Sequence, residues 1–217
     1  MEKIKFTELN KTYLFLSFIL LLILISLLSD LFILHENLYY DYFKDQLSYD
    51  EITKVLQLKN EWALLNYLII PIIYLFKFFV LSMWILTGII LVGYKVSFRK
   101  VFHACILAEF VLLIPSVIGL FWFGFVKIDY TLVEVQQFHP FSLLSLFDSH
   151  ELASWMTYPL QSFSLFQLVY VFVLSYGLQG AINQNYRVSL AVVFPVYISG
   201  ILIWLTFITF LTINYSI

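Results

Sequence analysis

Long runs of apolar residues alternate with short polar segments along the chain, and this alternation predicts a bundle of membrane-spanning helices. A helix rises about 1.5 Å per residue, so roughly 20 apolar residues cross about 30 Å of hydrocarbon. We place five spans at about residues 13–34, 71–93, 101–125, 159–181 and 190–212. The predicted fold is all-α: a single polytopic membrane domain over residues 1–217, with interfacial amphipathic helices in its outer loops.

The second apolar run is longer than one span requires, because it extends over residues 62–94. Pro71 lies within it, and a proline inside a helix removes a hydrogen bond and can kink or break the helix. We therefore expect the second span to begin at Pro71. Residues 62–70 are expected to lie at the membrane interface.

A helix start is predicted upstream of this run, in a polar and acidic segment over residues 35–61. Ser48 is followed three residues later by Glu51, which is the spacing of a capping box. Apolar residues then recur at helical intervals. We expect a helix that begins near Tyr49, lies on the membrane and then turns into it.

Composition agrees with a membrane protein and excludes several other classes. The chain is 62% hydrophobic and 12% charged, with a mean hydropathy of +0.91, against about 45–50% apolar and 25% charged residues in soluble domains. The net charge of −2 and the absence of clustered Lys and Arg argue against nucleic acid as a partner. Cys105 is the single cysteine, so the sequence predicts neither a disulfide framework nor a thiolate metal site.

Lys and Arg are distributed unevenly between alternate loops, and this bias predicts the orientation. One side carries Lys3, Lys5, Lys11, Lys95, Arg99, Lys100 and Arg187. The other side carries Lys44, Lys54, Lys59 and Lys127, among a larger number of acidic residues. Because cytoplasmic loops carry the excess of Lys and Arg, we expect a cytoplasmic N-terminus and an outer C-terminus. Short loops and the lack of a recognised targeting signal favour a bacterial inner membrane.

Lys77 and Glu109 are the two ionisable residues well inside the predicted spans. A charge in hydrocarbon costs about 2.5–3.5 kcal/mol or more, so each of them requires an explanation. Counting helix rise from the span ends places them at depths that differ by roughly 10 Å. A direct pair therefore requires tilted helices or extended side chains.

Two interpretations of this candidate intramembrane polar site remain open. In the first, Lys77 and Glu109 form a proton or ion relay, with His103 as its cytoplasmic entrance and Pro115 loosening the helix beyond Glu109. In the second, Lys77 extends along its stem towards the interface, and Glu109 stays protonated or bonds a neighbouring helix. Transporters usually gather several polar groups near the midplane, which favours the second interpretation.

The loop over residues 127–158 collects potential metal ligands. They are Asp129, Glu134, His139, Asp148, His150 and Glu151. Their spacing matches no metal-binding pattern, since His150 and Glu151 do not continue into HExxH. We expect a solvated acidic loop whose short apolar stretches lie in the headgroup region, with no metal, no cofactor and no catalytic residue.

Residues 140–180 show a recognisable pattern, in which the short apolar segment SLLSLF precedes the span SFSLFQLVYVFVLSYGL, which closes on Gly177. This pattern resembles the second half of the Yip family, known from Rab-interacting trafficking proteins of eukaryotes and from many bacterial proteins. The resemblance implies an all-helical, non-enzymatic membrane protein with five spans, an inner N-terminus and an outer C-terminus, which acts through partners in the membrane. Only about eleven residues precede the first span, so Rab-type trafficking is not supported.

The sequence therefore supports two hypotheses about function. The first is a non-enzymatic subunit or accessory protein of a membrane complex, whose partners are membrane lipid and other membrane proteins. The alternative is a small proton- or ion-coupled transporter that uses Lys77, Glu109 and His103.

Overall fold

The computed structural model of the chain describes residues 11–147 and 152–215. Helices occupy most of these residues, and no β-strand occurs in this part of the chain. The α-helices are α1 (Lys11–Phe32), α2 (Glu36–Phe43), α3 (Tyr49–Leu91), α4 (Phe98–Glu109), α5 (Ile114–Phe121), α6 (Leu132–Gln137), α7 (Ser154–Ser162), α8 (Leu165–Gln179) and α9 (Tyr186–Tyr215). Two 3₁₀ segments (Phe110–Leu113 and Leu143–Leu146) and a π-helical turn (Trp122–Val126) complete the order. The predicted all-α fold is confirmed.

Four helical segments are long and apolar enough to cross a membrane. They are Thr12–Phe32, Tyr49–Leu91, Phe98–Val126 and Tyr186–Asn214. A shorter apolar helix, Leu165–Gln179, lies among them. These segments indicate an integral membrane protein. The four long segments overlap the first, second, third and fifth predicted spans, and the shorter helix lies within the fourth. The helical course predicted for the second and fourth spans needs correction.

The second predicted span is part of a much longer helix than the sequence suggested. α3 begins at Tyr49, as predicted, with a capping box in which the Ser48 backbone N–H donates to Glu51 Oε2 at 2.9 Å. It then continues through Pro71 to Leu91 without interruption. The predicted break at Pro71 is therefore wrong. Proline removes a single helical hydrogen bond, and the uninterrupted turns on both sides hold the helix together.

The fourth predicted span, residues 159–181, is also wrong at its start. Pro159 belongs to α7, and the chain turns extended at Phe163 before α8 begins at Leu165. The cause is a short pairing with the preceding loop: Leu143 N–H donates to the Phe163 carbonyl at 2.8 Å, and Leu165 N–H donates to the Phe141 carbonyl at 3.0 Å. These bonds use backbone groups that a continuous helix would need. α8 is left about 22 Å long.

Contacts between α1 and α3 show that these helices are antiparallel. Phe15, near the start of α1, packs against Phe78 in the second half of α3. Asp30, near the end of α1, accepts a hydrogen bond of 2.8 Å from the Tyr67 hydroxyl, earlier in α3. The Phe18 ring, between these two points, lies 5.6 Å from the Phe78 ring and forms part of the buried core.

α9 is also antiparallel to α3, and the two helices approach each other closely. A Cβ added at Gly88 would overlap the side chain of Val196, and one added at Gly200 would lie 2.8 Å from Trp84 Nε1. The same indole nitrogen donates to the Val196 carbonyl at 2.8 Å. Because α1 and α9 both run opposite to α3, the start of α1 and the end of α9 lie at opposite ends of the bundle.

Candidate functional site

Lys77 and Glu109 form an ion pair between α3 and α4. Lys77 Nζ donates to Glu109 Oε1, and it also lies 5.3 Å from the centre of the Tyr74 ring. The two side chains differ sharply in burial, since Glu109 is 2% exposed and Lys77 is 45% exposed. The Glu109 end of the ion pair is therefore buried in the bundle, and the Lys77 end is exposed.

Contacts along α4 show how these residues meet. Phe98, at the start of α4, packs against Phe79 of α3, whereas Glu109, at the end of α4, pairs with Lys77. Eleven residues of α4 rise about 16 Å, while the contacts on α3 move by only about 3 Å. Tilt between the helices and the reach of the side chains together close this difference. The direct pair that the sequence made conditional on tilted helices or extended side chains is therefore present.

Glu109 also marks the point at which regular α-helix ends. α4 stops at Glu109, and the chain continues as the 3₁₀ segment Phe110–Leu113 before α5 begins at Ile114. Pro115 has no N–H for the carbonyl of Val111, four residues earlier, and this carbonyl accepts the Ile114 N–H instead. The helix therefore changes from α to 3₁₀ directly after Glu109. The sequence analysis expected Pro115 to loosen the helix in this region.

The ion pair lies on the wall of a cavity of about 810 Å³. α3 and α9 form the sides, and residues of α4, the following 3₁₀ segment, α7 and α8 complete the lining. The most exposed apolar side chains that line it include Phe76 of α3 and Ile203 and Phe207 of α9. The cavity is thus open at the side, between α3 and α9, where the bundle faces lipid.

Polar groups of α8 and α9 extend the site beyond the ion pair. Gln167 Nε2 donates to the Tyr197 hydroxyl, and the Tyr170 and Tyr197 rings stack at 5.1 Å. Two buried polar atoms on this wall, Glu109 Oε2 and the Tyr170 hydroxyl, have no hydrogen-bond partner among the described residues. Both atoms expose almost no surface, so these unsatisfied groups lie inside the packed bundle and out of reach of a molecule in the cavity.

Tyr158 and Trp204 contribute a second polar contact to the cavity lining. Trp204 Nε1 donates to the Tyr158 hydroxyl at 2.9 Å, which joins the end of α7 to α9. The sequence analysis did not select either residue, nor Gln167 and Tyr170. Gln167 and Tyr170 lie three residues apart, about one helical turn, among the apolar residues at the start of α8, and that spacing is the signal that identifies them.

His103 is the sequence-predicted residue that the structure separates from the site. It is a buried residue of α4, six positions before Glu109, and it does not line the cavity. Six residues correspond to about 240° of rotation around a helix, so the two side chains leave α4 on different sides. The structure brings together Lys77 and Glu109, and it gives no support for His103 as their entrance.

The loop over residues 127–158 forms no cluster of potential metal ligands within the described ranges. Glu134 is held instead by Lys127, whose Nζ lies 2.7 Å from Glu134 Oε1, and by a capping box with Thr131. The Lys127 ammonium, followed by the Thr131 backbone N–H, lowers the pKa of the Glu134 carboxyl from its ordinary value. Three of the six residues considered from the sequence, Asp148, His150 and Glu151, lie outside the described residues.

The first segment of α3, residues 49–62, forms a second surface of interest, which we call the N-terminal segment of α3. Ile52 and Leu56 are buried on one side of this segment. The Thr53 and Tyr40 hydroxyls join α3 to α2 at 3.0 Å, and Lys59 pairs with Asp30 of α1 at 3.2 Å. Val55, Leu58 and Trp62 follow one another at intervals of three and four residues on a different side. They are between 39% and 55% exposed.

Comparisons with models of known protein families, with curated proteins and with solved structures find no match to this chain. Its class therefore follows from its own helices and its own site. It is an all-α protein whose long apolar helices indicate insertion in a membrane.

Proposed function

We propose that the protein is a non-enzymatic subunit or accessory protein of a membrane complex and that the N-terminal segment of α3 contacts a different membrane protein. The proposed setting is a bacterial inner membrane, with the N-terminus in the cytoplasm and the N-terminal segment of α3 on the outer side. The resemblance of residues 140–180 to the Yip family supports the same proposal.

The observation that carries the proposal is the length of α3. Its 43 residues correspond to about 65 Å, which is twice the roughly 30 Å of hydrocarbon. Charged residues concentrate in the N-terminal segment, so this is the end expected to project from the bilayer. A rigid projecting helix is a suitable element for recognition by a partner.

The exposed stripe on this segment has the spacing of a helix–helix contact. Val55, Leu58 and Trp62 lie on one exposed side, whereas Ile52 and Leu56 are buried on another. Apolar residues at intervals of three and four form the seam along which two helices pack. Exposed apolar patches outside a bilayer commonly mark protein interaction sites, which supports a partner at this stripe.

Affinity purification in mild detergent tests the proposal. The wild-type protein is expected to recover one stoichiometric membrane partner, and Leu58→Lys is expected to lose it. Gln57→Lys is the matched control, because Gln57 is an exposed polar neighbour outside the stripe, and this variant should keep the partner. Recovery of the protein alone in several mild detergents, or equal recovery of the partner by both variants, contradicts the proposal.

A proton- or ion-coupled transporter is the second candidate, and the Lys77–Glu109 pair on the cavity wall favours it. A buried carboxylate within a transmembrane bundle is a common element of proton pathways. Flux in reconstituted vesicles tests this function: Glu109→Gln should abolish it, while Asp30→Asn, which changes a different ion pair, should leave it intact. The lack of any flux that depends on Glu109 contradicts the transporter.

A further inference from the structure

The cavity beside Lys77 is long, mostly apolar and open towards lipid. Its lining extends on α3 from Ile73 to Trp84 and on α9 from Tyr197 to Phe207, so it follows each helix for about 15 Å. Its volume of about 810 Å³ falls within the roughly 300–1,000 Å³ of pockets that hold drug-sized ligands. Apolar walls hold water poorly, and empty space forfeits van der Waals contacts. A molecule with a hydrocarbon chain is therefore the expected occupant.

Lys77 is the lining residue with hydrogen-bond donors to spare. Its Nζ donates to Glu109 Oε1 and to no other atom of the described residues. An ammonium carries three N–H donors, so two of them lack an acceptor in this part of the chain. Both partners of the ion pair line the cavity, and the Lys77 side chain is 45% exposed. The occupant is therefore expected to offer a hydrogen-bond acceptor to Lys77.

The charge of the ion pair restricts this acceptor. Glu109 already neutralises Lys77, so an anionic group beside them would leave one net negative charge in hydrocarbon surroundings, which is costly. A hydroxyl group would bring a proton that requires an acceptor of its own. A carbonyl oxygen is neutral and accepts without donating. It is therefore the acceptor that suits Lys77.

The position of Lys77 along α3 selects among membrane molecules that carry a carbonyl group. Residues 63–91 of α3 follow the N-terminal segment, and Lys77 is their midpoint, so it is expected near the middle of the bilayer. A phospholipid has a charged head at the interface, which holds its ester carbonyls at the edge of roughly 30 Å of hydrocarbon. A quinone with a long chain has a neutral ring and two carbonyl oxygens. It can therefore enter the hydrocarbon as far as Lys77.

Aromatic side chains line both long walls of the cavity. They include Phe76 and Trp84 of α3 and Trp204 and Phe207 of α9, all of which are exposed. Flat rings pack favourably on such side chains, in offset-stacked or edge-to-face arrangements. The lining therefore suits a ring that carries carbonyl groups.

We propose that this cavity binds one long-chain quinone, with a ring carbonyl accepting a hydrogen bond from Lys77 Nζ and the chain lying between α3 and α9. The ligand contacts the ammonium of the ion pair, and the Glu109 carboxylate stays buried behind it. This site is separate from the N-terminal segment of α3. The inference therefore goes beyond the proposed function and does not depend on it.

Photolabelling of the full-length protein in lipid nanodiscs tests the proposal. The probe is trimethyl-decyl-benzoquinone with a diazirine in its decyl chain, and its fully substituted ring cannot add to a lysine or to Cys105. Unlabelled competitors are the same quinone, the matching trimethyl-decylbenzene and 4-decylbenzoate. We expect saturable labelling of α3 and α9 at the cavity. The hydrocarbon should need a roughly 3- to 10-fold higher concentration than the quinone to suppress it, because it lacks the hydrogen bond.

Lys77→Met is the decisive variant, because it removes the donor and keeps an apolar side chain of similar length. Both competitors are measured on the same variant, so their ratio does not depend on how much of it is folded. The ratio should fall to about 1 in Lys77→Met. Lys127→Met is the matched control: Lys127 pairs with Glu134 and does not line this cavity, so the wild-type ratio should persist.

Four results would overturn the proposal. They are equal competition by quinone and hydrocarbon in the wild type, stronger competition by the benzoate, a quinone preference that survives in Lys77→Met, and labelling of α1 that equals that of α3 and α9. Recovery of a membrane partner is a separate readout. Loss of quinone selectivity with an intact partner would therefore overturn the ligand proposal alone.

Discussion

The coupling free energy between Lys77 and Glu109 is the most informative quantity that the structure predicts. The perturbations are Lys77→Met, Glu109→Gln and the two combined, measured in a double-mutant cycle. Removing one partner of a fully buried ion pair costs about 3–5 kcal/mol, whereas an exposed pair contributes about 0–1 kcal/mol. Here Glu109 is sealed and Lys77 is half exposed, so we expect a coupling free energy of about 1–3 kcal/mol, between these limits.

The two single variants are expected to lose stability for different reasons. Lys77→Met leaves the Glu109 carboxylate buried without its donor, which the protein can relieve by protonating it. Glu109→Gln keeps the side-chain volume and an oxygen for Lys77 Nζ, but it leaves the ammonium without a counter-charge at hydrocarbon depth. The combined variant removes both charges. It should therefore be milder than the sum of the singles.

The assay is equilibrium unfolding of the purified protein in mixed micelles. A matched control is the pair of Lys59 and Asp30, at 3.2 Å with side chains 35% and 38% exposed. Lys59→Met and Asp30→Asn should couple by less than about 1 kcal/mol. Additivity of the Lys77 and Glu109 variants within about 0.5 kcal/mol would refute the ion pair as an energetic unit.

Two further predictions concern packing and pH. Gly88→Ala should lower the free energy of unfolding by about 1–3 kcal/mol, because the added methyl group overlaps the side chain of Val196. Gly124 has no neighbour within 4 Å of an added Cβ. Gly124→Ala should therefore change the free energy of unfolding by less than about 0.5 kcal/mol in the same assay. The pKa of Glu134 is lower in the folded protein than in the unfolded chain, so its pair with Lys127 stabilises α6 above the unfolded pKa and loses this effect as the pH falls through the folded pKa. Hydrogen exchange should report this loss as a fall in the free energy of local opening of α6 in the wild type. The fall should be less than about 1 kcal/mol, because the pair is exposed, and it should be absent in Glu134→Gln.

Local signals in the sequence predicted the helices well. Apolar runs of sufficient length identified the all-α fold, and the spacing of Ser48 and Glu51 located the start of α3. These signals act within one helix, so they need no knowledge of neighbours. The break at Phe163, near the start of the fourth predicted span, was missed because its cause is a pairing of residues 163 and 165 with residues 143 and 141, about twenty residues earlier.

The site depends on tertiary arrangement in the same way. Lys77 and Glu109 were recognised because charges are rare in apolar spans, but their contact depends on how α3 and α4 pack and on the reach of both side chains, which rise per residue does not reveal. Tyr170 and Gln167 reach the cavity from a third helix. His103 was grouped with Glu109 by proximity in the sequence, and the helical rotation separates them.

All of the proposals rest on one central claim, that five helices cross a bilayer with the N-terminus in the cytoplasm. A reporter active only outside the cytoplasm tests it directly. It should be active when fused after residue 217 or inserted in the loop between α2 and α3, and inactive in the loop between α3 and α4. Equal activity at the two ends of the chain would contradict the account, because it requires an even number of crossings.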